Sequence, residues 1–495
     1  MIISALLVML YLLVLLGLAL YGFNALIMSG LFLWHWPRLK KSTPPPAPAE
    51  WPSVTVQLPI FNERLVIERL IDAVAGLDYP RDRLFIQVLD DSTDETRALA
   101  RVRVASHAAQ GVNISYIQRP DRVGFKAGAL AFGLTCTASD FIAIFDADFV
   151  PPPDFLRQVM PHFADPHVGM VQTRWGHLNA EATPFTRAQA IALDGHFIIE
   201  QTARSQSGLL LNFNGSGGVW RRAAIDSAGG WQADTICEDF DLSYRAQLAG
   251  WKLSYVPDVV APAEIPPTLT AYKRQQFRWA KGSIQCLGKL GGRLLAARLS
   301  IWHKVQALLH MGGYLVHPLM LAMILLGLPV ILTQNVGALP LGALGVAGFA
   351  PPMLFALSQW AIYPDWKHRF AYFPFLVLLS AGVALSNSWA VFEAVTGRHP
   401  HTFLRTPKFR AEGHQSGLIQ YTGYKLPVDW TTWGELIIGL YCLVEALVSA
   451  SRVPGLTIFL VVYAIGYIYT AGLGLWQSWD RPPFIGRPQP SQSAQ

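Results

Sequence analysis

The sequence predicts a soluble α/β domain with a mainly parallel sheet, fused to an α-helical membrane region. Three observations carry this expectation. The 495 residues are 52% hydrophobic and only 15% charged, with a mean hydropathy of +0.30, an excess that points to several membrane spans. Between Val54 and Phe145, short β-rich runs alternate with helical segments, the spacing of parallel strands covered on both faces. Beyond residue 286 most of the chain is apolar.

Residues 1–34 are apolar and uncharged, long enough for one span, which needs about 20 residues. No basic stretch precedes them, which argues against a cleavable signal. Arg38, Lys40 and Lys41 follow directly, and by the positive-inside rule they place residue 35 onward in the cytoplasm. A Pro-rich linker, 35–52, then leads to a soluble domain expected over 53–285. The net charge of +6 is spread beside apolar segments. It marks membrane topology and gives no footprint for nucleic acid. Cys136, Cys237, Cys286 and Cys442 show no paired spacing, so neither a disulfide framework nor a zinc site is expected.

Val54–Phe61, Phe85–Leu89, Ile114–Gln118 and Phe141–Phe145 read as buried strands, separated by helices near 63–76, 94–109 and 124–136. Ligands of such sheets bind beyond the carboxyl ends of the strands, and the acidic residues gather there. The second strand ends in Asp90-Asp91, where an acceptor can read a base or ribose. Ser92 with Glu95 fits a capping box for the next helix. Gly124-Phe125-Lys126-Ala127-Gly128 offers a small-residue helix start with one cation, suited to phosphate. The fourth strand ends in Asp146-Ala147-Asp148, hard oxygen ligands that suit Mg2+ or Mn2+ holding a diphosphate. Further on, 214–218 reads as a glycine-rich loop. Glu238-Asp239 opens a helix, a place the dipole favours for acids, and Asp239 is the candidate general base.

Gln275-Gln276-Phe277-Arg278-Trp279 follows at the seam between the soluble and apolar halves. In this order, Asp90-Asp91, Asp146-Ala147-Asp148, Glu238-Asp239 and Gln275–Trp279 resemble the motifs of the inverting family-2 glycosyltransferases with a GT-A (Rossmann-like) fold. The likeness is to the processive cellulose-synthase-like branch, nearest the plant A and C types and bacterial relatives. It covers residues 53–290. Cys237 stands where that family often has Thr.

The resemblance implies an enzyme that polymerises sugar from UDP-glucose or GDP-mannose into a β-1,4-glucan, mannan or glucomannan. It implies donor contacts at Phe61, Glu63, Asp90, Asp91, Lys126, Asp146, Asp148, Gln275 and Arg278. Asp148, with Asp146, would hold the metal, Asp239 with Glu238 would be catalytic, and Trp279, Gly215 and Ser216 would meet the acceptor. Phe403-Leu404-Arg405-Thr406-Pro407-Lys408 resembles a gating loop, with Phe403, Thr406 and Lys408 closing over the donor and Arg405 replacing a Val.

The remaining segments are expected as an interfacial amphipathic helix over 286–304, transmembrane or interface helices over 305–400, a cytosolic loop over 401–432, two spans over 433–477 and a tail over 478–495. Apolar stretches lie near 306–333, 338–362 and 372–392. Three full crossings there would put Lys408 outside, so either 338–362 or 372–396 is expected to lie in the interface. His310, His317, Asn387 and Glu445 are polar groups at or in the spans, compatible with a path for a hydroxyl-rich polymer. The implied site is a bacterial inner membrane with the catalytic domain cytoplasmic. Alternatives are a non-processive transferase acting on a lipid acceptor, and a transporter or scaffold with a degenerate domain.

Overall fold

A computed structural model describes residues 2–41, 43–333, 347–397, 408 and 428–478. Seven strands form one sheet. They are β1 (Val54–Ile60), β2 (Leu84–Asp90), β3 (Ile114–Ile117), β4 (Phe141–Ile144), β5 (Val168–His177), β6 (Gly218–Arg221) and β7 (Lys252–Ala263), in the order β3-β2-β1-β4-β6-β5-β7. The pairs β1–β2, β1–β4, β2–β3 and β5–β7 are parallel, while β6 runs antiparallel between β4 and β5.

The pleat sorts β1 by period two. Val54, Val56, Leu58 and Ile60 face one buried cluster with Ile67, Leu70, Ile71 and Val74 of the helix Ile67–Ala75. Each such side chain contributes roughly 1.5–3 kcal/mol of burial. Thr55 and Gln57 point to the other face, and both are buried. Thr55 donates to Ser139 at 2.8 Å and the Gln57 amide nitrogen to Gln87 at 3.0 Å. Buried polar groups persist in cores when they are hydrogen-bonded.

Two local expectations change. The helix after β2 begins at Thr96, and its first amide donates to the Asp94 carboxylate at 3.0 Å. Ser92 instead accepts the Asn62 amide at 2.8 Å and Glu95 pairs with Arg64, so the Ser92–Glu95 box does not form. The helix expected over 286–304 is divided. One helix of 28 residues, Leu269–Ala296, carries the Gln275–Trp279 motif and ends short of Ser300, whose hydroxyl caps a second helix, Ile301–Met311.

Among the described residues, four helices are long and apolar enough to cross a membrane: Ile2–Leu39, Gly313–Thr333, Trp430–Arg452 and Pro454–Ser478. Trp366–Gly382 and Ala384–Thr396 form a pair bent by 43°. Both members of the pair touch the soluble domain. The Arg187 guanidinium lies 4.6 Å from the Tyr372 ring centre, and Lys281 pairs with Glu393 at 2.8 Å. The helix Ala350–Ile362 has 13 residues, and Gln359 donates to Asp194 of the soluble domain at 2.9 Å. His310 falls in Ile301–Met311, outside the candidate spans, and bonds Tyr244 at 2.8 Å.

Candidate active site

The carboxyl ends of β1, β2 and β4 open on a pocket of about 190 Å³, lined by Phe61, Glu63, Asp91, Lys126, Asp146, Asp148, Gly215, Glu238, Asp239, Gln275, Arg278, Trp279 and Lys408 among others. Strand ends deliver the acids because their backbone turns away from the sheet there, leaving side chains free to converge. The helix Leu269–Ala296 delivers Gln275, Arg278 and Trp279, the first turn of Glu238–Leu248 delivers Glu238 and Asp239, and the first turn of Phe125–Thr135 delivers Lys126. Gln275, Arg278, Trp279 and Gly282 are spaced three, four and seven apart and so share one face. Gly282 is where that face meets Cys237: a Cβ there would lie 2.2 Å from its Sγ.

Lys126 joins the acids electrostatically. Its ammonium is 2.7 Å from Asp146 and 3.7 Å from Glu238, and donates to the Gly215 carbonyl at 2.8 Å. Burial opposes its charge, but Asp146 and Glu238 more than offset that and hold Lys126 above the usual lysine range. Asp239 accepts the Phe240 amide at 2.8 Å. Burial, then repulsion from Glu238, pushes its carboxyl up to about 7, and burial raises Glu238 as well. Gly215 packs on this carboxylate with φ +82°, and a Cβ there would stand 2.9 Å from Asp239 Oδ2. Both the backbone conformation and the space favour glycine.

Asp148 is 4% exposed. Its Oδ2 meets Lys408 at 2.7 Å, while its Oδ1 is buried with no hydrogen-bond partner among the described residues. Burial opposes the charge of Lys408, and Asp148 and Glu63 hold it above the usual range. Arg278 is depressed by burial, against the pull of nearby carboxylates. Among the described residues no three His, Cys, Asp or Glu side chains form a metal cluster. Two carboxylates with one unsatisfied oxygen still fit a divalent ion that completes its shell with phosphate and water, the usual habit of Mg2+.

Two expected contacts, Asp90 and Ser216, sit elsewhere than the cavity surface. Asp90 lies behind the wall, 1% exposed, accepting the Ser92 amide and the Tyr116 hydroxyl at 2.8 Å each. Ser216 is fully buried. Its hydroxyl accepts the Asp146 amide at 2.8 Å, so it braces the loop and does not face an acceptor. Asp91 reaches the pocket but is held by Arg119 at 2.5 and 2.8 Å. Phe403 and Thr406 lie outside the described residues.

Other lining residues carried no sequence signal. The Arg122 guanidinium stands 3.3 Å from the Phe61 ring centre, a cation–π contact in the pocket wall. Trp175 and His177 end β5 in the pocket, and His177 is held by Asp194 at 2.9 Å. A strand-end Trp-Gly-His has no periodic signature.

A second cavity, of about 380 Å³, continues from the first toward the apolar helices. Trp175, Asn214, Asp239, Gln275 and Trp279 line both. Tyr272, Tyr314, His310 and His317 line the second alone. Asn387 stays behind the wall, 3.0 Å from His317, and Glu445 packs against Gly327, away from this cavity.

Residues 52–282 match the sequence profile described as glycosyltransferase like family 2. The chain is 45% identical over 254 residues to a protein of Oryza sativa subsp. japonica named probable glucomannan 4-beta-mannosyltransferase 7, covering 50% of this chain and 43% of that one. It is 42% identical over 266 residues to glucomannan 4-beta-mannosyltransferase 2 of Arabidopsis thaliana, covering 52% and 50%. The chain thus spans about half the length of the curated relatives it matches. Among solved structures, mannosyltransferase PcManGT from Pyrobaculum calidifontis, in complex with GDP-Man and Mn2+, aligns with a TM-score of 0.52 at 22% identity, over 79% of this chain and 100% of that one. That likeness concerns the fold. Residues 52–282 are therefore a family-2 glycosyltransferase domain with a GT-A fold.

Proposed function

We propose that the chain is a membrane-embedded inverting transferase that moves a hexosyl group from a nucleotide-sugar donor onto a growing β-1,4-linked mannan or glucomannan. The observation that carries this reading is the position of Asp239, whose carboxylate borders both the donor-side pocket and the cavity leading toward the apolar helices. An acceptor hydroxyl entering from the second cavity meets a base with a donor beyond it. The relatives named for glucomannan mannosyl transfer favour GDP-mannose, with UDP-glucose as the competing donor.

In this reaction Asp239 takes the proton of the terminal hydroxyl, whose oxygen attacks the anomeric carbon from the face opposite the diphosphate. The C–O bond to the diphosphate breaks and an α-linked donor becomes a β-linkage. Lys126 and Arg278 stabilise the charge developing on the leaving group. Asp146 and Asp148 would hold Mg2+ or Mn2+, which when bound adds further positive charge beside the diphosphate. Trp279 offers an aromatic face for the terminal sugar ring.

The contacts of 350–396 with the soluble domain support a topology in which the helix Ala350–Ile362 ends on the cytosolic side and 373–396 runs in the interface beneath that domain. Lys408 then lies on the same side as Asp148. Labelling a cysteine introduced at Arg405 from outside intact cells would overturn this arrangement.

Purified full-length protein in detergent, given GDP-mannose or UDP-glucose with Mg2+ or Mn2+, should release the nucleotide and form an oligosaccharide that endo-β-mannanase cuts. A product of one sugar on lipid would favour the non-processive alternative.

A further inference from the structure

We infer that Asn214 is the residue that reads the acceptor's terminal sugar, through an amide whose orientation is fixed by His196 and, behind it, Glu200. The inference rests on the reading of the second cavity as the acceptor's path.

Asn214 is one of the few side chains common to both cavities. It sits in the glycine-rich loop before β6, where Gly215 and Gly217 take left-handed conformations, and such a loop needs anchors to hold a side chain still. Its backbone amide donates to Gln172 Oε1 at 2.8 Å. Two donors converge on its side-chain oxygen: His196 Nε2 at 2.9 Å and Asn212 Nδ2 at 3.2 Å. Asn212 Nδ2 also faces the Phe213 carbonyl at 3.1 Å, which identifies it as the amide nitrogen. The atom of Asn214 that meets it is therefore the oxygen. The remaining atom, Asn214 Nδ2, is buried and has no partner among the described residues. A donor held without a partner at a cavity wall is costly unless a ligand satisfies it. A sugar hydroxyl oxygen is such a ligand.

His196 owes its position to a π-helical turn, Gly195–Gln201, inserted between Pro184–Asp194 and Thr202–Gln206. The wider turn brings residues four and five apart into line. Glu200 Oε2 faces His196 Nδ1 at 3.0 Å, and Gln201, whose Nε2 is 3.4 Å from His196 Nε2, donates to the Asn212 carbonyl at 3.1 Å. The two imidazole nitrogens thus face the oxygens of Glu200 and Asn214, which hold the ring in place. Extra turns of this kind recur at functional sites. His196 is a positioning residue in this scheme: it acts through Asn214.

The test uses full-length protein and measures binding of β-1,4-mannohexaose by calorimetry without donor, with GDP binding as the control. His196→Phe should weaken oligosaccharide binding about tenfold, the effect of one buried hydrogen bond set loose, with nucleotide affinity changed less than about threefold. His196→Gln, whose amide can still donate to Asn214 Oδ1, should stay within about threefold of the parent, and Glu200→Gln should fall between. Should His196→Phe fail to fold, Asn214→Asp, which replaces the donor by an acceptor, should lose about tenfold. Parent-like oligosaccharide affinity in Asn214→Asp, or equal losses in His196→Phe and His196→Gln, would overturn the inference. So would a parent protein that does not bind the oligosaccharide. If the parent binds it but turns over neither GDP-mannose nor UDP-glucose, the polymerase reading fails and this inference stands.

Discussion

The Lys408 ammonium meets Asp148 at 2.7 Å, although these residues belong to opposite halves of the chain. The pair places a residue from the segment beyond the interface helices directly at the metal-type motif. Lys408 and a divalent ion would compete for the same carboxylate. In Lys408→Ala, Mn2+ binding to donor-free protein should tighten by roughly tenfold, since a buried charge seeks a replacement partner. Catalytic turnover should fall by a similar factor. Manganese titration followed by electron paramagnetic resonance checks the first effect and nucleotide release the second. Unchanged or weaker metal binding would remove the competition.

With Asp239 as the base, the pH response should follow its carboxyl. Burial and the neighbouring Glu238 raise its carboxyl to about 7, and only the ionised form can take a proton. As pH falls through about 7, the base is protonated and kcat should drop about tenfold per unit; above it the rate should level. Glu238→Gln removes the like-charge repulsion and should move the rise to lower pH. Asp239→Asn should lose at least about a thousandfold in kcat, with nucleotide still bound. A pH–rate profile of the three proteins decides this, and near-parent turnover in Asp239→Asn would sink the assignment.

The approach of Gly282 to Cys237 predicts a steric cost. A Cβ on Gly282 would lie 2.2 Å from Sγ, so Gly282→Ala should destabilise by about 1–3 kcal/mol through overpacking. Adding Cys237→Ala removes only the Sγ contact and leaves the Cβ at 2.8 Å and the amide nitrogen at 2.9 Å, so it should recover only part of the loss. A double-mutant cycle by thermal unfolding measures the coupling. Additive losses would show that the contact is not the cause.

Lys281 and Glu393 form a buried pair between the Leu269–Ala296 and Ala384–Thr396 helices, with side chains 5% and 12% exposed. Removing one partner strands a charge, at a cost of about 3–5 kcal/mol. Glu393→Leu should therefore be markedly less stable than the parent, and Lys281→Met with Glu393→Leu should regain most of the loss. Retention of the folded peak on size-exclusion after mild heating reports the difference.

Much of the fold was legible because its signals are local. The period of Val54, Val56, Leu58 and Ile60 determines a strand and its core face, and the helices between strands require a parallel sheet. Since such a sheet binds ligands at its carboxyl edge, Asp91, Asp146 and Asp148 could be placed near one another before any coordinates. Lengths of apolar sequence likewise marked Ile2–Leu39 and Pro454–Ser478.

What a residue does after reaching that edge depends on its partners, and these are distant in the chain. Asp90 and Asp91 are adjacent, yet Tyr116 and Ser92 hold one behind the wall and Arg119 holds the other at the rim. Ser216 and Asn214 share a loop; one braces the Asp146 backbone and the other lines the cavity. Sequence determined the α/β architecture, the acidic strand ends and the apolar second half. Tertiary structure alone decided the antiparallel β6, the Lys408–Asp148 pair, the division of 269–311 into two helices and the His196–Asn214 contact. Hydrophobic period and backbone preference act over a few residues, whereas ion pairs and fixed amides exist only once remote segments are packed together.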